Sequence, residues 1–271
     1  DCIILQEDVD ASADDDGASG IIGEMPREGR FIRPAGLDVT AGDIILAAGT
    51  VMSARLIALA TSAGHTHVSL WPRPHVGVLS TGDELVIPGE KPGRGQIISS
   101  NATYLSAFVR ACGGVPVNLG IARDRPGAML EQVRSAPLPL DLIVTTGGAS
   151  VGVHDHVVDD LSSSGTELGF WKIAMRPGKP LIHGQIDGIP LLGLPGNPVS
   201  SAVCANIFLR PAIARLSGGS YEPELVTARL GCDLPENDQR QDYLRSTLAV
   251  NADGNMDVEP ARKQDLSLIH I

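Results

Sequence analysis

The stretch Asp141-Leu-Ile-Val-Thr-Thr-Gly-Gly-Ala-Ser-Val-Gly152 constrains this chain more than any other. Leu142, Ile143 and Val144 form a continuous apolar run, as fits a parallel strand covered on both faces. Gly147 and Gly148 follow directly. They let the backbone turn tightly and remove side chains that would hold a ligand away from it. In an open α/β sheet such a loop lies at the carboxyl end of its strand, where ligands bind, and its N–H groups can cradle a phosphate. A glycine pair alone fits a plain strand-to-helix connection equally well, so the rest of the chain has to decide.

Residues 75–217 supply the remainder of such a sheet. Strands are predicted at Val76 to Leu79, Val115 to Leu119, 142–146, Phe170 to Met175, Pro180 to His183 and Leu191 to Leu194. Helices alternate with them: one capped by Ser99, Ser100 or Asn101 and stopped by Gly113-Gly114, one over Pro126 to Val133, and one from Val199 to about Leu216. The alternation predicts an α/β fold with a doubly wound, mostly parallel sheet.

The segments before it are less regular. Residues 1–40 read as short strands and turns, with an acidic patch from Asp8 to Gly20 as an exposed loop. The turn Arg33-Pro-Ala-Gly-Leu-Asp38 projects Arg33 and Asp38, which in isolation read as a surface ion pair. A helix is predicted over 51–63, capped by Ser53 and stopped by Gly64. His65 and His67 then fall on one face of a short strand; with no carboxylate or cysteine nearby in sequence, they read as structural. Trp71-Pro-Arg-Pro74 marks a boundary.

A formal charge of -11 argues against a general nucleic-acid or anionic-membrane binder. No uninterrupted apolar run reaches the length of a membrane span. Cys2, Cys112, Cys204 and Cys232 are widely spaced, which excludes a CxxC zinc site and fits a reducing cytoplasm. The chain opens in mid-strand and closes on Leu266-Ser-Leu-Ile-His-Ile271, so it reads as a piece of a longer protein.

Three loops of the predicted sheet carry convergent chemistry: Asp83 and Glu84 after the first strand, Ser150 and Asp155 after the third, and Pro195-Gly-Asn-Pro-Val-Ser200 after the last. His154 and His156, which flank Asp155, read as part of a solvated loop. Glu84 and Asp155 suit Mg²⁺, which takes few protein ligands and completes its shell with substrate phosphate oxygens. The free N–H groups where the last helix starts, near Val199, suit an anion. Lys172, Arg176 and Lys179 concentrate positive charge in an otherwise acidic chain. Arg176-Pro-Gly-Lys179 is a tight turn, so its two cations are expected to converge, with Lys172 several residue lengths away.

The motifs S-T-G-D-E-L, T-T-G-G-A-S-V-G-x-x-D, W-K-I-A-M-R-P-G-K-P and L-P-G-N-P-V-S occur in that order over residues 80–200. Together they resemble the molybdopterin molybdenumtransferase family, which includes bacterial MoeA and the gephyrin E domain. The resemblance implies a MogA-like α/β domain over 75–218, a remnant of β-rich domain II at 1–42, part of the elongated domain I at 43–74, and a truncated β-rich domain IV at 222–271. It implies insertion of molybdenum from molybdate into adenylylated molybdopterin, with release of AMP, by a Mg²⁺-dependent homodimer that meets other molybdenum cofactor biosynthesis proteins.

The resemblance also assigns residues. Asp38, Glu84, Asp141 and Asp155 match acidic residues tied to activity, and Arg33 matches a basic one. Ser150, Lys172, Arg176, Asn197 and Ser200 fall in substrate-binding motifs; Lys179 and Pro180 match the molybdate position, with Arg245 from the fourth domain. Two departures stand out. The family's N-S-A-M-D-G-like and M-T-G-A-P-like segments are absent, and Leu266-Ser267-Leu268 replaces an expected serine pair after Asp265. The alternatives are the related adenylyltransferase, which the segments at 1–74 and 222–265 argue against, and a gephyrin-like scaffold.

Overall fold

The computed structural model describes residues 1–12, 19–23, 25–148 and 169–261. Two compact units divide the chain, Asp1–Ser69 and Leu70–Ile271.

In the first unit, β1 (Val9–Ser12) and β2 (Ser19–Ile22) pair antiparallel, with Val9 opposite Ile22. The acidic patch therefore contributes strands at its two ends, where the sequence reading expects only a loop; Val9 and the Ile21-Ile22 pair supply the β-forming residues. Helix α1 (Ala54–Ser62) is capped by Ser53, whose hydroxyl accepts the Leu56 N–H at 3.4 Å. Past it, His65 N–H returns to the Ala60 carbonyl and Gly64 N–H to Thr61, with Gly64 at φ +86°. This closure turns the chain away, so His65 and His67 lie exposed in irregular backbone instead of on a strand.

The second unit holds, in order, β3 (His75–Thr81), β4 (Leu85–Val86), β5 (Ile97–Ile98), α2 (Ser100–Ala111), β6 (Val115–Ala122), α3 (Ala128–Arg134) and β7 (Leu142–Thr146). From residue 169 onward come β8 (Phe170–Lys172), β9 (Met175–Arg176), β10 (Pro180–Ile186), β11 (Ile189–Leu194), α4 (Pro198–Cys204) and, beyond one π turn, α5 (Arg210–Leu216). The π turn, Ala205–Leu209, sits where Pro211 withholds an N–H from the helical ladder.

The main sheet has the order β6-β3-β7-β11-β10-β8. Its first four strands are parallel; β10 runs antiparallel to them and β8 antiparallel to β10. Asp187 and Gly188, at φ +50° and +82°, make the tight turn that reverses β10 into β11. One face buries Val76, Val78, Leu142 and Val144 against Leu105 and Val109 of α2, Leu209 of the π turn and Ile213 of the last helix. The other buries Leu79, Val117, Ile143 and Leu191 against Met129 and Val133 of α3. Helices on both faces make the sheet doubly wound. Alternate residues of β7 thus serve opposite faces, which is why the strand is apolar throughout.

Pro198–Leu216 is long and apolar enough to cross a membrane by length and composition, but Cys204, Ala205, Leu209 and Ile213 are fully buried in the core. The chain then forms β12 (Arg229–Leu230), β13 (Gln241–Asp242), β14 (Ser246–Val250) and β15 (Met256–Pro260). These give a small sheet of order β12-β15-β14, while β13 pairs in parallel with β9.

Candidate active site

The carboxyl ends of β3, β7 and β11 meet at one edge. Gly147 N–H donates to Leu194 O at 3.3 Å, and a Cβ on Gly147 would stand 2.5 Å from the Thr81 carbonyl oxygen. Asn101, in the first turn of α2, ties the neighbouring loops together. Its Nδ2 donates to Thr146 Oγ1 and to Gly196 O, each at 2.8 Å. Thr81 Oγ1 lies buried here without a protein hydrogen-bond partner. The sequence reading passes over Thr81, Asn101 and Thr146 as site residues. The available signal is a pair of threonines, Thr145-Thr146, ending an otherwise apolar strand.

The acidic turn after β3 divides its two carboxylates. Asp83 Oδ1 accepts Asp124 N–H, Asp124 Oδ2 accepts Asp83 N–H, both at 3.2 Å, and Arg123 donates to the Asp83 and Leu85 carbonyls. Asp83 is therefore a fastener between loops, and Glu84 is left exposed at the edge. Ser150 and Asp155 lie outside the described residues, as do His154 and His156.

Asp141 is not brought to this edge. It precedes β7 at the amino end, on the order of 20 Å from Gly147 at the rise of an extended strand. Its carboxylate accepts the His75 N–H at 2.7 Å and so joins the starts of β3 and β7. The catalytic expectation for Asp141 gives way to this structural contact.

The helix start after β11 is also different from the expectation. Asn197 Oδ1 accepts the N–H groups of Val199 (3.1 Å) and Ser200 (3.3 Å), Pro198 has none, and Ser201 N–H bonds Asn197 O. The donors expected to hold an anion are engaged by the cap, and Ser200 is buried.

The basic stretch is the largest revision. The chain doubles back after β8: Ile173 N–H donates to Lys179 O at 3.1 Å, and Lys172 pairs opposite Pro180. Lys172 is therefore beside the turn, against the expectation that puts it several residue lengths away. Its Nζ rests over the Trp171 ring, 4.1 Å from the centroid. Because β10 runs antiparallel to β11, with Ile182 opposite Gly193, its amino end lies at the same edge as the carboxyl end of β11. That reversal delivers Lys179 and Pro180 to the edge holding Gly147 and Gly196.

Arg176 does not converge with Lys179 on a common point. It forms an ion pair with Asp242 and lies 3.7 Å from Asp238. Arg240, with help from Arg176, holds the Asp238 carboxyl down at about 2. Among the described residues, no carboxylate lies within ion-pair distance of Lys179. Gly178, at φ +110°, backs onto the buried Cys204, whose sulfur would be 2.5 Å from a Cβ there; burial pushes that thiol up to about 12. Arg245 lies three residues beyond Asp242, and its carbonyl accepts the Ala261 N–H at 2.8 Å.

In the first unit Arg33 and Asp38 are ion-paired and exposed. They line an open hollow of about 440 Å³ with Thr40, Asp43 and His65.

A doubly wound sheet with an acidic turn, glycine turns and a lysine-bearing turn on one edge defines this α/β domain. Residues 77–215 match the family described as a probable molybdopterin binding domain, and residues 1–64 match the MoeA N-terminal region (domain I and II). The chain belongs to the MoeA family. It is 35% identical over 228 residues to a molybdopterin molybdenumtransferase of Nostoc sp., covering 82% of this chain and 52% of that protein. It is 33% identical over 261 residues to that of Haemophilus influenzae, covering 96% and 64%. A MoeA protein structure from Pyrococcus horikoshii superposes with a TM-score of 0.72 at 28% identity, covering 97% of this chain and 63% of that one. The chain thus spans about half to two thirds of these relatives.

Proposed function

We propose that this protein inserts molybdenum from molybdate into adenylylated molybdopterin, cleaving the adenylate's phosphoanhydride and releasing AMP. The observation that carries the reading is the strand reversal that sets Lys179 on the same edge as Glu84 and Gly147. Three strand spacings separate β3 from β10, about 14 Å, so the edge suits an elongated anionic substrate. The names of the relatives support the reaction. The match to the MoeA N-terminal region supports it over a stand-alone adenylyltransferase.

Among the described residues no group of three metal-ligating side chains assembles. An exposed edge carboxylate, Glu84, three residues after a buried hydroxyl without a protein partner, Thr81, fits a Mg²⁺ that keeps most of its ligands from substrate and water. Glu84 and Asp155 would hold it, and it would neutralise charge on the cleaved phosphate. Asn101 keeps the two glycine loops in register for the substrate, Lys179 takes molybdate, and Lys172 serves the adenylated pterin.

Exposed Ile44 and Val51, both 86% accessible, and Ile57 on α1 support a homodimer that uses the first unit. Sedimentation at twice the chain mass is the expected result, and a monomer at micromolar concentration would remove that part. Reduced thiols at Cys2, Cys112, Cys204 and Cys232 support a cytoplasmic setting.

The test is Mg²⁺-dependent AMP release from adenylylated molybdopterin with molybdate present. Glu84→Gln should lower the rate roughly 10²- to 10³-fold, the scale of one preorganised electrostatic contact, with adenylate binding retained. An unchanged rate would take Glu84 out of the mechanism.

A further inference from the structure

The Arg176-Pro-Gly-Lys179 turn carries two cations, but its surroundings divide them. Arg176 sits on β9, and β13 is laid along it: Gln241 N–H donates to Ala174 O and Tyr243 N–H to Arg176 O, both at 2.8 Å. Its guanidinium is paired with Asp242, whose side chain is only 14% exposed, and Asp238 lies on its other side. Arg240 binds Asp238 in turn. Arg176 and Arg240 against Asp238 and Asp242 make a cluster of two positive and two negative charges, net zero. A dianion approaching Arg176 would have to displace a carboxylate that is held in place by a strand pairing. Lys179, three residues on, faces no such competitor among the described residues.

We infer that Arg176 is a positioning residue: it clasps the C-terminal β segment to the basic turn through Asp242 and leaves anion binding to Lys179. This deepens the reading given under the proposed function and rests on it for the identity of the anion.

The experiment measures two quantities in the purified protein: molybdate affinity by calorimetry, and amide hydrogen exchange at Gln241 and Tyr243. Arg176→Gln should speed exchange at both amides at least about tenfold and shift molybdate affinity less than about threefold. Asp242→Asn should reproduce the exchange result from the other partner, so the outcome does not depend on one variant folding. Lys179→Ala should do the reverse, losing affinity and leaving exchange unchanged. Unchanged exchange in both clasp variants would overturn the inference. So would a loss of affinity in Arg176→Gln equal to that in Lys179→Ala. If the unsubstituted protein binds no molybdate but the exchange results hold, the clasp stands and the proposed substrate falls.

Discussion

Gly147→Ala is expected to destabilise the protein by about 2–5 kcal/mol, the sum of roughly 1–2 for a left-handed alanine and roughly 1–3 for overpacking. Gly147 has φ +91°, and a Cβ there would lie 2.5 Å from Thr81 O and 3.0 Å from Thr81 Oγ1. The nearer atom is backbone, and Thr81 is fixed by its pairing with Ala122 in the β3–β6 ladder, so it cannot rotate aside as a side chain would. On the other side Gly147 is held by its hydrogen bond to Leu194 O. A methyl group must therefore wedge β3 from β7 at the edge where the substrate is received, and adenylate binding should be lost with stability. Gly113→Ala is the control. Gly113 has nearly the same φ, +90°, but nothing lies within 4 Å of its absent Cβ. Urea unfolding of both variants separates backbone strain from close approach. Equal destabilisation in the two would mean that Gly147 is required for its conformation alone.

The same residues show what the sequence could and could not convey. Buried parallel strands are readable because both faces demand apolar side chains, so Val76 to Leu79 and Leu142 to Val144 appear as plain runs. The β10–β11 reversal also has a local signal, since Asp187-Gly188 is a favoured pair for such a turn. The sequence reading identifies both strands without drawing the reversal from that pair. Asn197 is a strong helix cap by type, and once it is read as a cap the N–H groups behind it are no longer available to a ligand. Other features have no local signal. Arg176 and Asp242 are 66 residues apart, and nothing in either segment's pattern announces that β13 will lie along β9. Lys172 moves from remote to adjacent because Ile173 turns its N–H back to Lys179 O, a contact set by strand pairing rather than by residue type. Asp141 illustrates the converse. Its placement before an apolar strand was legible, and that placement sets it at the end away from the loops.

Lys179→Ala should weaken molybdate binding roughly 10- to 150-fold. A hydrogen bond to a charged group contributes about 1.5–3 kcal/mol, and each 1.4 kcal/mol is a factor of ten in affinity. The size follows from the division of charge at the turn. Were Arg176 to share the dianion, losing Lys179 would leave a guanidinium able to hold it and the effect would shrink. Arg176 is paired with Asp242 instead, and Lys172 rests on Trp171, so among the described residues of the basic stretch neither other cation is as free as Lys179 to hold the dianion. Lys179 is exposed and its backbone contacts, Ile173 N–H to its carbonyl included, do not involve the side chain, so truncation should leave the turn intact. Adenylate affinity should change less than about threefold, because the nucleotide end of the adenylate reaches toward Glu84, about 14 Å along the edge, and Lys172 remains for the pterin. Calorimetric titration of molybdate into both proteins, with adenylate binding measured in parallel, checks the expectation. Equal molybdate affinities, or a matching fall in adenylate affinity, would show that the turn is not a dedicated oxyanion site.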